Sequence, residues 1–525
     1  MKLTIIFANM GFLALLIASC GPALENNDSI EEREPVQSSE DALIYYGSDE
    51  WPIACYFFDP KSKDFGQNLP IWNQAWVWAD TKSGNRVHVK GKKEGGFVVA
   101  DGVYYSKTGT GAGALPEIKS PKDLDKLCQE SIDRYYPKKG YELLNYVASR
   151  NNNPLSNLVD NAFPVVIGEK TNKNKITRIV EFGDSLSDTG RLKKWIQVMP
   201  ERPFFLGRFS NAAIWSDYLA NVIDAAVLNY STGGAVSKVD ISSRVQDVLN
   251  YIKDGGRYFV TGSLRNFIKD YKNSELHNKK VPDADRTLFV IWGGANDFLS
   301  RLDRKADINT MIDQPETPGL GINAIAKQTA LNIDQDVRGL IENIGAKNIM
   351  IANLPDIGAT PSMADNATFR KGTEADRYIL SQGITKGIKK YNELLDGYVK
   401  DLQQTYPNVK IILFDAAKAL NDLMEGIGPS GERNFDYGIN LKASFSKLSS
   451  PGKPDIKIGK SCYNGPYTGS TNDNEICKNA SEMLFWDKVH PTTKGHRGLA
   501  YFINRLLYEA GLVNDPADFA DYRKM

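Results

Sequence analysis

Serine, histidine and aspartate occur in this chain at spacings that suit nucleophilic catalysis. A short apolar run ends in Glu181-Phe182-Gly183-Asp184-Ser185-Leu186-Ser187-Asp188-Thr189-Gly190. A serine just past a strand, on a tight turn that opens a helix, aims its N–H into the crevice where a helix N-terminus stabilises negative charge. Ser185 is therefore a candidate nucleophile. The pattern is not G-x-S-x-G, so this is not the ordinary α/β-hydrolase elbow. Taken alone, Gly-Asp-Ser is equally a polar βα turn with Ser185 as a helix cap.

A serine needs a base, and the chain has four histidines. His88 falls in a β-like run, His277 in a Lys-rich loop, and His496 in the last helical segment, where a structural role is expected. His490 stands in Trp486-Asp487-Lys488-Val489-His490-Pro491, just before that segment. Asp487, three residues earlier on the same loop, can fix the imidazole tautomer and balance the imidazolium. The oxyanion needs donors. Asn229-Tyr230-Ser231-Thr232-Gly233-Gly234-Ala235 offers a backbone N–H where a missing side chain permits close approach. Trp292-Gly293-Gly294-Ala295-Asn296-Asp297 places the Asn296 side-chain amide at the end of a strand. Either block alone is also read as a sharp turn with a capping Asn.

These residues need a frame. Apolar runs at 176–182, 288–292, 348–352 and 410–414 read as buried parallel strands. Helix-period segments at 212–223, 322–344, 376–406 and 493–510 separate and follow them. The alternation predicts an α/β, doubly wound parallel sheet with helices on both faces, over 175–525. In such a sheet the ligand site lies outside the carboxyl ends of the strands. Residues 424–481 break the rhythm and read as an insertion.

Upstream, 45–150 reads as a small aromatic β-rich domain. It has β-like runs at 71–79, 86–89, 97–100 and 103–105 and a helix at 120–136; 151–175 has linker composition. Residues 21–44 read as a disordered acidic tether. Residues 1–20 carry Lys2, an apolar stretch and then Ile17-Ala18-Ser19-Cys20, the form of a secretory signal peptide. Ending on Cys20, it resembles a bacterial lipobox with Cys20 as the lipidated residue. The expectation is an exported lipoprotein, on the outer membrane or cell surface or released, whose lipid anchor brings it to a membrane surface. The other four cysteines form two neighbourhoods, which predicts Cys55–Cys128 and Cys462–Cys477 in an oxidising compartment. No CxxC pattern points to zinc, and neither a metal nor another cofactor is expected. Lys plus Arg and Asp plus Glu both number 64, so no global basic field exists for nucleic acid.

The ordered set Gly183-Asp184-Ser185-Leu186-Ser187-Asp188, Gly234, Gly294-x-Asn296-Asp297 and Asp487-x-x-His490 resembles the GDSL (SGNH) hydrolase family over about 175–512. The resemblance implies Ser185 as nucleophile with Asp487 and His490 completing the triad. It implies the Ser185 N–H, the Gly234 N–H and the Asn296 amide as the oxyanion hole. Gly207-Arg208-Phe209-Ser210-Asn211 and the stretch from Asn353 to Pro361 look similar to the branch with secreted phospholipases. With the aromatic N-terminal part, the chain looks closest to thermolabile-haemolysin-type phospholipases, with glycerophospholipid–cholesterol acyltransferases close behind. Arg191 and Ala212 depart from that branch, which usually has Asn and Gly there, and leave headgroup and acyl preference open. The expected activity is a lipid esterase acting through an acyl-enzyme: phospholipase A or lysophospholipase, with acyl transfer to an alcohol as a second fate. A polysaccharide or acetyl esterase, and a non-catalytic surface-binding lipoprotein, are the alternatives.

Overall fold

The computed structural model describes residues 174–514, apart from 193–198, 201–202, 205–206, 212–213, 224, 240–260, 303–306, 366–372, 468–474 and 478–479. Before these it describes 50–58, 76–80, 86–90, 95–108, 115–118, 124–150 and 160–164. The expected leader, lipidation site Cys20 and acidic tether lie outside the described residues.

Aromatic and β-branched residues favour extended chain, and the upstream part uses them in strands. These are β1 (Glu50–Phe58), β2 (Trp76–Asp80), β3 (Arg86–Lys90), β4 (Gly95–Thr108), β5 (Leu115–Ile118), β6 (Glu142–Arg150) and β7 (Asp160–Pro164). An antiparallel sheet runs β5-β4-β1-β6-β7, and β2 and β3 form a separate hairpin. The two runs expected at 97–100 and 103–105 are one strand, β4. Strand β7 comes from the stretch whose composition marks a linker. Helix α1 is described over Leu124–Tyr135; its expected Ser120-Pro121 start lies outside the described residues.

The second sheet is parallel throughout, in the order β12-β11-β10-β8-β9. Its strands are β8 (Arg178–Gly183), β9 (Ala226–Asn229), β10 (Thr287–Trp292), β11 (Asn348–Ala352) and β12 (Lys410–Phe414). Strand β9 has only four residues and no apolar run long enough to stand out in the sequence. Successive side chains of a strand point to opposite faces. Val180 and Phe182 of β8 and Phe289 and Ile291 of β10 enter one core, with helices α4 (Ile322–Gly339) and α5 (Glu374–Thr405). Ile179 of β8 and Leu288, Val290 and Trp292 of β10 enter the other, with α2 (Trp215–Ile223), α6 (Ala416–Glu425) and α7 (Thr493–Glu509). Continuous apolar strands are the consequence of burial on both faces, as expected for a doubly wound sheet. Cys128 and Ile132 of α1 join the first core.

Helices α5, α6 and α7 begin at side-chain caps. Thr373 and Asp376 form a reciprocal capping box on α5. Asp415 caps α6 and Thr492 caps α7. Helix α3 (Ala295–Leu302) begins three residues after β10. The insertion carries a hairpin, β13 (Phe445–Leu448) with β14 (Ile456–Gly459), and the Cys462–Cys477 disulfide.

Candidate active site

Five parallel strands aligned in one direction deliver five connecting segments to one edge of the sheet. β8 delivers Asp184 and Ser185; β9 delivers 230–237; β10 delivers Asn296 and Asp297 at the start of α3; β11 delivers 353–360; β12 delivers Asp415 and Ala416. The loop before α7 adds Asp487 and His490.

Ser185 Oγ and His490 Nε2 are 2.7 Å apart. His490 Nδ1 and Asp487 Oδ2 are also 2.7 Å apart. The other carboxylate oxygen, Oδ1, accepts the backbone N–H groups of Val489 at 2.8 Å and His490 at 2.7 Å. Asp487 thus both curls its own loop and orients the ring it contains. With Nδ1–H donated to the carboxylate, Nε2 is the acceptor that faces the hydroxyl. His490 and Asp487 are each 4% exposed.

Of the oxyanion candidates, Asn296 lines the same cleft as Ser185 and His490 and is tied to the turn that holds Gly234. Asn296 is buried, and its Nδ2 donates to the Ala235 carbonyl at 2.9 Å. That bond ties the β10 segment to the turn holding Gly234, whose φ of +80° suits glycine. Asp297 reinforces the tie: its carboxylate accepts the Ser237 N–H at 2.8 Å and the Ser237 hydroxyl at 2.7 Å. Asp188 does the same work from β8. It accepts backbone N–H groups from Gly190, Arg191, Leu192 and Gly233, the last at 2.7 Å. One carboxylate therefore fastens the turn after β9 to the turn after β8.

Asp184 and Asp188 are buried and Asp297 is half-buried, and withdrawal from water penalises their charged forms. Burial raises Asp184 to about 6 against the opposing Leu186 N–H and His490. Burial raises Asp297 to about 6 against its two bonds from Ser237. Asp188 is also raised by burial, although four N–H bonds oppose the shift.

A cleft of about 640 Å³, counting the part open to solvent, starts at Ser185, His490 and Asn296. Its walls are mostly apolar: Leu186, Trp292, Leu299, Ile357, Leu420, Phe485, Val489 and Leu499. Pro355 and Thr360, from the 353–361 stretch, also line it, and Asn353 anchors that wall by bonding Asp415 and the Ala417 N–H. Among the described residues no three His, Cys, Asp or Glu side chains gather as a metal site requires.

The sequence profile of the GDSL-like lipase/acylhydrolase family matches residues 179–503. The chain belongs to the GDSL-like lipase/acylhydrolase family. It is an ester-acting hydrolase. A phosphatidylcholine-sterol acyltransferase of Aeromonas hydrophila is 26% identical over 344 residues, covering 62% of this chain and 88% of that protein. The secreted effector protein SseJ of Salmonella typhimurium is 25% identical over 339 residues, 63% and 64% of the two chains. The thermolabile hemolysin of Vibrio parahaemolyticus is 25% identical over 341 residues, 62% and 63% of the two chains. The match thus spans less than two thirds of the last two relatives.

The other histidines of this GDSL enzyme stand apart from Ser185. His88 lies in β3. His277 is exposed, with φ of +47°. His496 lies in α7, fully buried, and neither ring nitrogen has a hydrogen-bond partner among the described residues. Burial holds it neutral, its pKa lowered to about 3. Cys128 is disulfide-bonded; the side chain of Cys55, its expected partner, lies outside the described residues. Arg191 donates to the Tyr230 carbonyl and lies over the Tyr230 and Phe267 rings at 4.9 and 5.0 Å. It braces the end of β9, a role not readable from its departure from the branch pattern. Ala212 lies outside the described residues.

The 207–211 motif is legible in the sequence, but its purpose is not. Arg208 forms a bidentate pair with Asp217 of α2 at 2.7 and 2.8 Å. Ser210 Oγ donates to the Pro491 carbonyl, and Asn211 Oδ1 accepts the Thr493 N–H. The motif clamps the His490 loop from both sides of that histidine's helix cap. Only the pairing of segments about 280 positions apart reveals it.

Proposed function

We propose that this GDSL enzyme is a lipolytic serine esterase that cleaves acyl esters of phospholipids, as a phospholipase A or lysophospholipase. The observation that carries the reading is an apolar cleft opening directly on the Ser185–His490–Asp487 line. His490 Nε2 takes the Ser185 proton as Oγ attacks the ester carbonyl. The oxyanion is held by the Ser185 N–H, the Gly234 N–H and the Asn296 amide. His490 then returns the proton to the leaving alcohol, and an acyl-enzyme remains. Water or an acceptor alcohol takes the acyl group, with His490 again as base. The acceptor branch is supported by similarity to a protein named for sterol acylation. An acetylated sugar would find few polar partners in the cleft walls, which disfavours a polysaccharide esterase. We further propose that Cys20 is lipidated in an exported protein and brings the site to a membrane surface.

The test is mass spectrometry of products from phosphatidylcholine vesicles, with and without sterol, beside acetylated xylan. Fatty acid and lysophospholipid are expected, plus steryl ester when sterol is present. Ser185→Ala folds and loses this turnover. Wild-type release of acetate from xylan with none of fatty acid from vesicles, or full esterase activity in Ser185→Ala, overturns the proposal.

A further inference from the structure

We infer that Phe209 and Tyr467 are positioning residues that hold the His490 imidazole in its working orientation. The inference rests on the reading of Ser185 and His490 as nucleophile and base. The Nδ1 and Nε2 hydrogen bonds set the ring's orientation at rest, but the Nε2 partner changes as the proton is taken up and passed on, which leaves the ring freedom to turn about its Cβ–Cγ bond. Packing removes that freedom. The Phe209 ring lies 4.9 Å from the imidazole, tilted by 36°. The Tyr467 ring lies 6.0 Å away, edge-on at 68°. The two aromatic rings pack on each other at 5.5 Å and 77°, so the three rings form one cluster.

Each ring is anchored by contacts other than those of the Ser185, His490 and Asp487 side chains. Phe209 sits between Arg208, paired with Asp217, and Ser210, bonded to the Pro491 carbonyl. It also fills the space beside Gly233: a Cβ there would meet its ring at 2.3 Å. One phenyl ring thus touches both the base and the turn that leads to Gly234. Tyr467 belongs to the loop closed by Cys462–Cys477. That loop is fastened to the His490 loop, since the Cys462 and Tyr463 N–H groups donate to the Trp486 carbonyl and Tyr463 stacks on Trp486 at 5.6 Å. The insertion therefore supports the base from outside.

Neither ring is part of the cleft wall. Their removal acts on turnover, not on substrate binding. An aromatic ring against imidazole also favours the cation that forms as Ser185 gives up its proton.

The experiment compares Tyr467→Ala, Tyr467→Phe, Phe209→Leu and Ser185→Ala in the full chain. It measures kcat and KM on a soluble chromogenic ester, with circular dichroism to report folding. Expected is a roughly three- to thirtyfold lower kcat in Tyr467→Ala and Phe209→Leu with little change in KM. Tyr467→Phe keeps the ring and retains wild-type kcat. A folded Tyr467→Ala with wild-type kcat, or one that changes KM alone, overturns the inference even where Phe209→Leu fails to fold. An active Ser185→Ala removes the nucleophile reading and this inference with it. An inactive Ser185→Ala beside a fully active Tyr467→Ala removes this inference alone.

Discussion

In the proposed mechanism, the Asn296 side chain serves position and chemistry together. One Nδ2 hydrogen is committed to the Ala235 carbonyl, and the residue still lines the cleft beside Ser185. Asn296→Ala is expected to lower kcat by about 10²–10³, the usual cost of losing one oxyanion donor, with the fold retained. Steady-state kinetics and circular dichroism check this. His496 makes a stability prediction. Its folded pKa, near 3, lies below the ordinary 6.5. The unfolded chain therefore binds the extra proton first. This contribution is fully present above pH 6.5 and is lost as pH falls, at up to about 1.4 kcal/mol per pH unit. Asp184 and Asp297 have the opposite sign: raised to about 6, they favour the folded state below the ordinary 3.8 and lose that contribution as pH rises through 6. His496→Leu isolates the first effect. Relative to wild type, the variant should gain about 2 kcal/mol between pH 7 and pH 5 in urea denaturation.

At the scale of elements, the site depends on segments tied across the sheet edge. Asp188 joins the turns after β8 and β9; Asn353 joins those after β11 and β12; the 207–211 motif joins α2 to the loop before α7. The disulfide insertion is a similar tie outside the sheet. Its cysteines are 15 residues apart, and a loop of that length is worth about 3 kcal/mol when crosslinked. The double variant Cys462→Ser and Cys477→Ser is expected to lose roughly this much in unfolding free energy, measured by denaturant titration. A loss near zero shows that backbone bonds and ring stacking hold the loop without the crosslink.

The whole molecule has one interdependence that its composition hides. The aromatic upstream part looks separable, with a change of character and a linker-like stretch after it. Yet Cys128, Ile132 and Tyr141 are buried in the same apolar core as β8 and β10. Removing residues before 165 exposes that face, at a cost of several kcal/mol by the usual value of burying such side chains. A chain starting there is expected to melt at a lower temperature than the full chain in calorimetry. An unchanged melting temperature shows that the second core closes without α1.

The sequence by itself determined the parallel sheet, because strands buried on both faces must be written as unbroken apolar runs, and local composition carries that signal. It also determined the candidate chemical groups: an uncommon residue such as histidine, present four times, leaves little choice of base when one copy follows an aspartate by three positions. β9 escaped because four residues give no period to read. The roles of Phe209, Asp188 and Asn353 escaped for another reason. Each acts on partners dozens to hundreds of positions away, and only the tertiary structure brings those partners within bonding distance. Side-chain type is a local property of the chain, whereas the 2.7 Å from Ser185 Oγ to His490 Nε2, across 305 positions, is a property of packing alone.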